Sequence, residues 1–153
     1  MALKLTSPAF KHSGDIPPVY TCDGSDLSPA LAWSNLPEGT QSLALIVDDP
    51  DAPGGTFSHW VVYNLPPRTT HLDEAVKKGT AIPGGGSQGR NDFGKIGYGG
   101  PCPPRGSTHR YFFDLFALNI NLNLPAAATR AQVEDAMDTH VLARGKLVAR
   151  YNR

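Results

Sequence analysis

Long apolar runs are missing from this chain, and so is any excess of charge. No stretch approaches the ~18 consecutive apolar residues of a membrane helix, so no integral membrane segment is expected. The opening Met1-Ala2-Leu3-Lys4-Leu5-Thr6 lacks the charged-then-apolar pattern of a secretion signal, which makes the cytoplasm the expected location. Lys plus Arg and Asp plus Glu both total 14, and no basic run exceeds Lys77-Lys78. A nucleic-acid partner needs a basic face, so none is expected. The two cysteines, Cys22 and Cys102, are too few for a disulfide scaffold or a thiolate zinc centre. In a reducing cytosol they are expected as free thiols, with one long-range bridge as the alternative.

Several catalytic signatures are missing as well. There is no His-x-x-x-His or Cys-x-x-Cys pair, so neither a metal nor another cofactor is expected. Cys102 lies between Pro101 and Pro103, which have no N–H to help form an oxyanion hole. Ser58 adjoins His59, but neighbouring strand residues point to opposite faces and cannot work as a pair. The expectation is a protein that is not an enzyme.

What the chain has in quantity is glycine and proline, 16 and 14 of 153 residues, spaced between short apolar runs. This predicts a mostly β fold, a sandwich or barrel, in a single domain spanning 1–153. Strands are expected at Leu3–Phe10, Ala30–Trp33, Ser42–Val47, Phe57–Asn64, Arg110–Leu118 and Lys146–Tyr151. Ser42–Val47 is continuously apolar and reads as a central strand buried on both faces. A helical turn is expected at Asp73–Lys78. One full helix is expected at about 129–143, capped by Thr129, with Val133, Met137, Val141 and Leu142 at helical spacing and Gly145 as its stop.

Two blocks about 40 residues apart carry the chemistry. The first is Asp48-Asp49-Pro50-Asp51-Ala52-Pro53 with His59-Trp60 after it. The second is Gly99-Gly100-Pro101-Cys102-Pro103-Pro104 followed by His109-Arg110-Tyr111. Each joins a proline-stiffened loop to a strand, where binding sites commonly sit. Two imidazoles, a phenol and loop N–H groups can hold a phosphate or carboxylate, with Asp49 orienting an imidazole or a water. Ala52-Pro53 ends a tight acidic loop and is a candidate cis peptide.

These blocks resemble the two signatures of the phosphatidylethanolamine-binding protein family. Asp49-Pro50-Asp51-Ala52-Pro53 and His59-Trp60-Val61-Val62-Tyr63-Asn64 match the first. Asn91-Asp92-Phe93-Gly94, Gly97-Tyr98-Gly99-Gly100-Pro101-Cys102-Pro103-Pro104 and His109-Arg110-Tyr111 match the second. Tyr20-Thr21-Cys22-Asp23-Gly24 and Ser28-Pro29-Ala30-Leu31-Ala32-Trp33 match the short prokaryotic branch, and the likeness runs from about Leu3 to Tyr151.

The resemblance implies an antiparallel β-sandwich with Greek-key connections and one or two peripheral helices. It also implies a pocket for small anions such as phosphate, acetate or a phospholipid head group. Carried over position by position, the pocket residues are Asp49, Pro53, His59, Tyr98, Gly100, Cys102, Pro104, His109 and Tyr111. Cys102 stands where animal members have glycine. The short Gly54–Ser58 segment before His59, and an expected end at Arg153 directly after the last strand without the animal members' additional helix beside the pocket, imply a more open pocket than theirs. The resemblance also places the loops of Cys22 and Cys102 near the pocket, with their Cα atoms in bridging range. The reading is a non-enzymatic anion or head-group binder with a signalling or regulatory role. The alternatives are a module that inhibits a protease or kinase, and an enzyme using His59 and His109 as acid and base. A homodimer stays open.

Overall fold

The computed structural model describes residues 2–153 and is mostly β, with two sheets and one α-helix. The smaller sheet has three strands in the order β1 (Lys4–Thr6), β3 (Leu31–Ser34), β6 (His71–Leu72). The larger has six, in the order β2 (Gly14–Asp15), β9 (Val141–Asn152), β8 (Thr108–Leu118), β4 (Ser42–Asp49), β5 (Phe57–Leu65), β7 (Ser87–Gln88). Pairing is antiparallel except between β2 and β9.

β4 is buried along its whole length, as a continuous apolar run at the middle of a sheet must be. Its side chains alternate between two cores. Leu43, Leu45 and Val47 join a large cluster that includes Leu5 and Trp33 of the small sheet. Ala44 and Ile46 join a second cluster with Val133 and Met137 of the helix α1 (Arg130–Met137). The strand also runs on past Val47 to carry Asp48 and Asp49. The fold therefore delivers two adjacent carboxylates to opposite faces of one sheet.

The structure corrects several expectations. The helix keeps its Thr129 cap, completed by a capping box with Gln132, but ends at Met137 and not near 143. Thr139 adopts a positive φ of 67°, and Val141 and Leu142 belong to β9 with their side chains exposed. Helical spacing was coincidental there, because the chain turns at Thr139 and pairs with β8 from Val141 onward. Gly145 is no helix stop. It lies within β9, where a Cβ would come within 3.1 Å of the Leu3 carbonyl oxygen, so glycine lets β1 pack close.

Asp73–Lys78 forms bends rather than a helical turn. Ala75 has a φ of 61°, and the N–H groups of Ala75 and Val76 bond to the carbonyl and hydroxyl oxygens of Ser28. The first strand shrinks to Lys4–Thr6. No cis peptide occurs among the described residues, so Ala52-Pro53 is trans. Cys22 and Cys102 are not free thiols but a disulfide with Cα atoms 5.4 Å apart. Compartment arguments had weighed against the bond, whereas the fold brings the two loops together.

Candidate functional site

The site begins with an irregularity in a strand. Between β4 and β5, Val47 pairs with Trp60 but Asp48 pairs with Ser58, so β5 has one residue more than its partner. His59 is that extra residue, a β-bulge, and a bulge re-aims the side chain it carries. In an unbroken strand His59 would face away from Trp60. Here its ring packs against Tyr111 and Phe57 on the front, with ring centroids 5.3 and 5.1 Å away, while Trp60 fills the large front core.

The bulge frees the His59 backbone from the β4 ladder, and the second motif takes it up. Gly99 N–H donates to the His59 carbonyl at 2.9 Å, and His59 Nδ1–H donates to the Gly99 carbonyl at 2.7 Å. A carbonyl can only accept, so Nδ1 carries the hydrogen and Nε2 is left for a ligand. Burial holds His59 below its usual pKa, with the Gly99 carbonyl opposing. The neutral ring is thus favoured when the site is empty.

His109 reaches the same place from β8. Its Nδ1 lies 2.7 Å from Asp49 Oδ2, and both side chains are nearly inaccessible. The carboxylate orients the imidazole and leaves Nε2 as its outward nitrogen. Asp49 Oδ1 also accepts from the N–H of Asp51. Asp51 in turn forks onto Arg110: both Arg110 N–H and Nε–H donate to Oδ2 at 2.9 Å, and Nη2–H donates to Oδ1 at 2.8 Å. Arg110 is the chief reason the Asp51 carboxyl titrates at about 2. One proline-bearing acidic loop therefore braces both flanks of His109.

Asp49, Pro53, His59, Cys102, Pro104 and His109 together line one cavity of about 230 Å³. Tyr111 is not on its wall. It lies under His59 with its hydroxyl buried and without a protein partner. Burial, with Asp49 nearby, raises its pKa strongly, so the hydroxyl stays a donor.

Tyr98 and Gly100 belong to a neighbouring hollow of about 170 Å³ beside Asp26 and Lys78, which Cys102 also lines. Tyr98 is fully buried and donates to the Tyr20 carbonyl, a structural role. A Cβ on Gly100 would meet the Tyr20 carbonyl at 2.3 Å, so glycine is required for that close approach. Larger clefts exist elsewhere, one of about 590 Å³ around Arg68–Gly85, but they lack convergent buried imidazoles.

Sequence reasoning missed Phe57, Phe93, Ala52 and Pro103, which also line the cavity. Phe57 was findable as the alternate strand neighbour of His59. Phe93 stands at the tip of the Asn91–Gly94 turn, held because Asn91 Oδ1 accepts from the N–H groups of Phe93 and Lys95. The neighbouring Asp92 is tied to Ser58 by two backbone-anchored bonds, Ser58 N–H to Asp92 Oδ2 and Asp92 N–H to the Ser58 carbonyl.

The arrangement defines a class: a cleft at the end of a β-sheet lined by two oriented imidazoles, with a phenol packed beneath one of them. Among the described residues no group of three or more His, Cys, Asp or Glu could hold a metal ion, and no helix is long and apolar enough to cross a membrane. The phosphatidylethanolamine-binding protein family model matches residues 6–152, and the chain belongs to that family.

Its relatives sit in the prokaryotic branch. A UPF0098 protein of Aquifex aeolicus is 51% identical over 99% of this chain and 89% of its own. One from Methanothermobacter thermautotrophicus is 48% identical, with 99% of each chain covered. Among solved structures, Escherichia coli YbcL, described as a member of the mammalian family, superposes with a TM-score of 0.93 at 35% identity, covering 100% of this chain and 99% of YbcL. The homologue CT736 of Chlamydia trachomatis gives 0.91 at 40% identity, covering 99% and 98%.

Proposed function

We propose that the cleft binds a small anion, a phosphate-like or carboxylate group either free or on a lipid head group, without turning it over. The carrying observation is that His59 and His109 line one cavity with both Nδ1 atoms already bonded to protein acceptors. Each ring therefore has only Nε2 to offer, and when protonated that atom becomes a charged donor to an anion. Tyr111 supports the His59 ring edge-on from beneath and so helps to fix where Nε2 points.

At about 230 Å³ the cavity is below the range of drug-sized pockets, which favours an anionic group over a whole lipid. The loop prolines and the disulfide reduce the ordering entropy that binding must overcome. No serine or cysteine nucleophile stands against the Asp49–His109 pair, and the one cysteine on the wall is bonded. The two sheets of the fold are read here as the Greek-key β-sandwich that the family resemblance implies.

The test is calorimetric titration of a phosphomonoester and, separately, of sulfate, which keeps its charge across the pH range. His59→Ala is expected to weaken binding by about 1.5–3 kcal/mol, the value of a hydrogen bond to a charged group. Wild-type affinity for sulfate is expected to rise as pH falls from 8 to 6. A bound anion raises the imidazole pKa values, so binding takes up protons. Equal affinity of wild type and His59→Ala would defeat the anion reading and leave the protein-interaction module in its place.

A further inference from the structure

We propose that the Cys22–Cys102 disulfide is a thiol–disulfide exchange site that sets the conformation of the cleft wall and, on the anion reading above, how tightly the cleft holds its ligand. The bond joins residues 80 apart in sequence, and both cysteines are exposed, so a reductant can reach them. Cys102 lines the anion cavity and the neighbouring hollow at once.

The other ties between these loops lie on the N-terminal side of Cys102. They are Cys22 N–H to the Pro101 carbonyl at 3.1 Å, Gly100 N–H to Asp26 Oδ1 at 2.7 Å, and Tyr98 hydroxyl to the Tyr20 carbonyl at 2.8 Å. These survive reduction and keep the fold in place. Beyond Cys102 stand Pro103 and Pro104, which have no N–H to donate and which form the cleft wall. Their carbonyls accept a 3.4 Å bond from Arg153 Nη1 at Pro103 and a 3.0 Å bond from Ser107 N–H at Pro104, and the turn beyond is held by Gly106 N–H to the Arg153 carbonyl at 2.7 Å. The disulfide is therefore the one covalent tether at the head of that wall, and opening it loosens the wall between Cys102 and this turn while sparing the fold.

The exchange has a preferred direction. Arg153 Nη1 lies 3.6 Å from Cys102 Sγ, so a thiolate leaving there is stabilised. A thiolate of an external dithiol attacks Cys22 Sγ, forming a mixed disulfide as the Cys22–Cys102 bond breaks and Cys102 departs as thiolate. The second thiol of the reductant then attacks its own sulfur in the mixed disulfide and releases Cys22. Two electrons pass from the dithiol, which becomes a cyclic disulfide, and its two protons end on the two cysteines.

The experiment treats folded protein with dithiothreitol in the absence of denaturant. Two thiols per chain are expected to become titratable while the far-ultraviolet circular dichroism is kept. Phosphate affinity is expected to fall at least threefold. The Cys22→Ser/Cys102→Ser variant should match the reduced protein and ignore the reductant. A bond that opens only on unfolding, or equal phosphate affinity in the two redox forms, overturns the proposal. If phosphate binds neither form, the anion reading fails on its own. The redox inference then stands if the amide signals of Gly106 and Ser107 and the ring signals of His59 shift on reduction, and falls if they do not.

Discussion

Asp48 and Asp49 are neighbours in sequence and both are buried, yet they inhabit two different chemistries. Asp49 faces the cleft with each oxygen accepting a hydrogen bond, one from His109 and one from the backbone of Asp51. Asp48 faces the back of the sheet, where Oδ2 accepts from Arg130 of α1 and Oδ1 has no protein partner. Desolvation lifts the Asp48 carboxyl from its ordinary 3.8 to about 6, although Arg130 pulls the other way. The pleat alone separates a carboxylate that organises a binding site from one that fastens a helix at some cost to stability.

The largest expected effect comes from the front. Asp49→Ala removes one partner of a buried pair and should destabilise by about 3–5 kcal/mol, read as a drop in the urea midpoint. It should also abolish anion binding. The neighbouring Asp48→Asn should do the reverse. A carboxyl whose folded pKa lies above its unfolded one lends stability below about pH 4 and loses it as pH rises through 6. The shift corresponds to about 3 kcal/mol against the ionised form at neutral pH. Asp48→Asn is thus expected to gain about 1–3 kcal/mol at pH 8 and nothing at pH 4. A loss at pH 8 would erase the contrast between the two faces.

A smaller effect tests whether the faces are independent. Thr129→Ala breaks the capping box of α1 and should cost about 1 kcal/mol, visible in thermal melts, with phosphate affinity unchanged. A parallel fall in affinity would mean that the back face communicates with the cleft. The smallest expected change is Asp51→Asn. Its Arg110 partner is about half exposed, so the loss should stay below about 1 kcal/mol at pH 7. A depressed carboxyl contributes above its unfolded value, so this difference should fade as pH falls from 4 toward 2.

The central strands were legible because hydrophobic runs specify them: Ser42–Val47, Phe57–Asn64 and Arg110–Leu118 all lie within observed strands. So were the two proline-rich motifs, whose six cavity residues the fold brings together from two distant segments. The helix end was not legible, since Val141 and Leu142 continue the apolar spacing of α1 while belonging to an exposed strand start. Nor was the stretch between Thr69 and Arg90, whose order rests on side-chain bonds such as Gln88 Nε2 to the carbonyls of Lys77 and Gly79. The disulfide and the role of Gly145 depend on contacts between distant segments, which no local pattern records.

The extra residue at His59 has a consequence for how this chain tolerates length changes. The exposed glycine bend at Gly54-Gly55 lies outside the ladder, and residues added there only enlarge a hinge in solvent. Four residues, Phe57 to Trp60, obey a different arithmetic. Removing Phe57 or Ser58 would restore a regular ladder with His59 opposite Asp48, the kind of change that ordinarily tidies a sheet. It would also turn the imidazole through half a pleat, away from Tyr111 and toward α1. For this segment perfect β-pairing is the defective state, and a frame-preserving deletion of a single codon would act as a loss-of-site mutation while leaving a well-formed sheet.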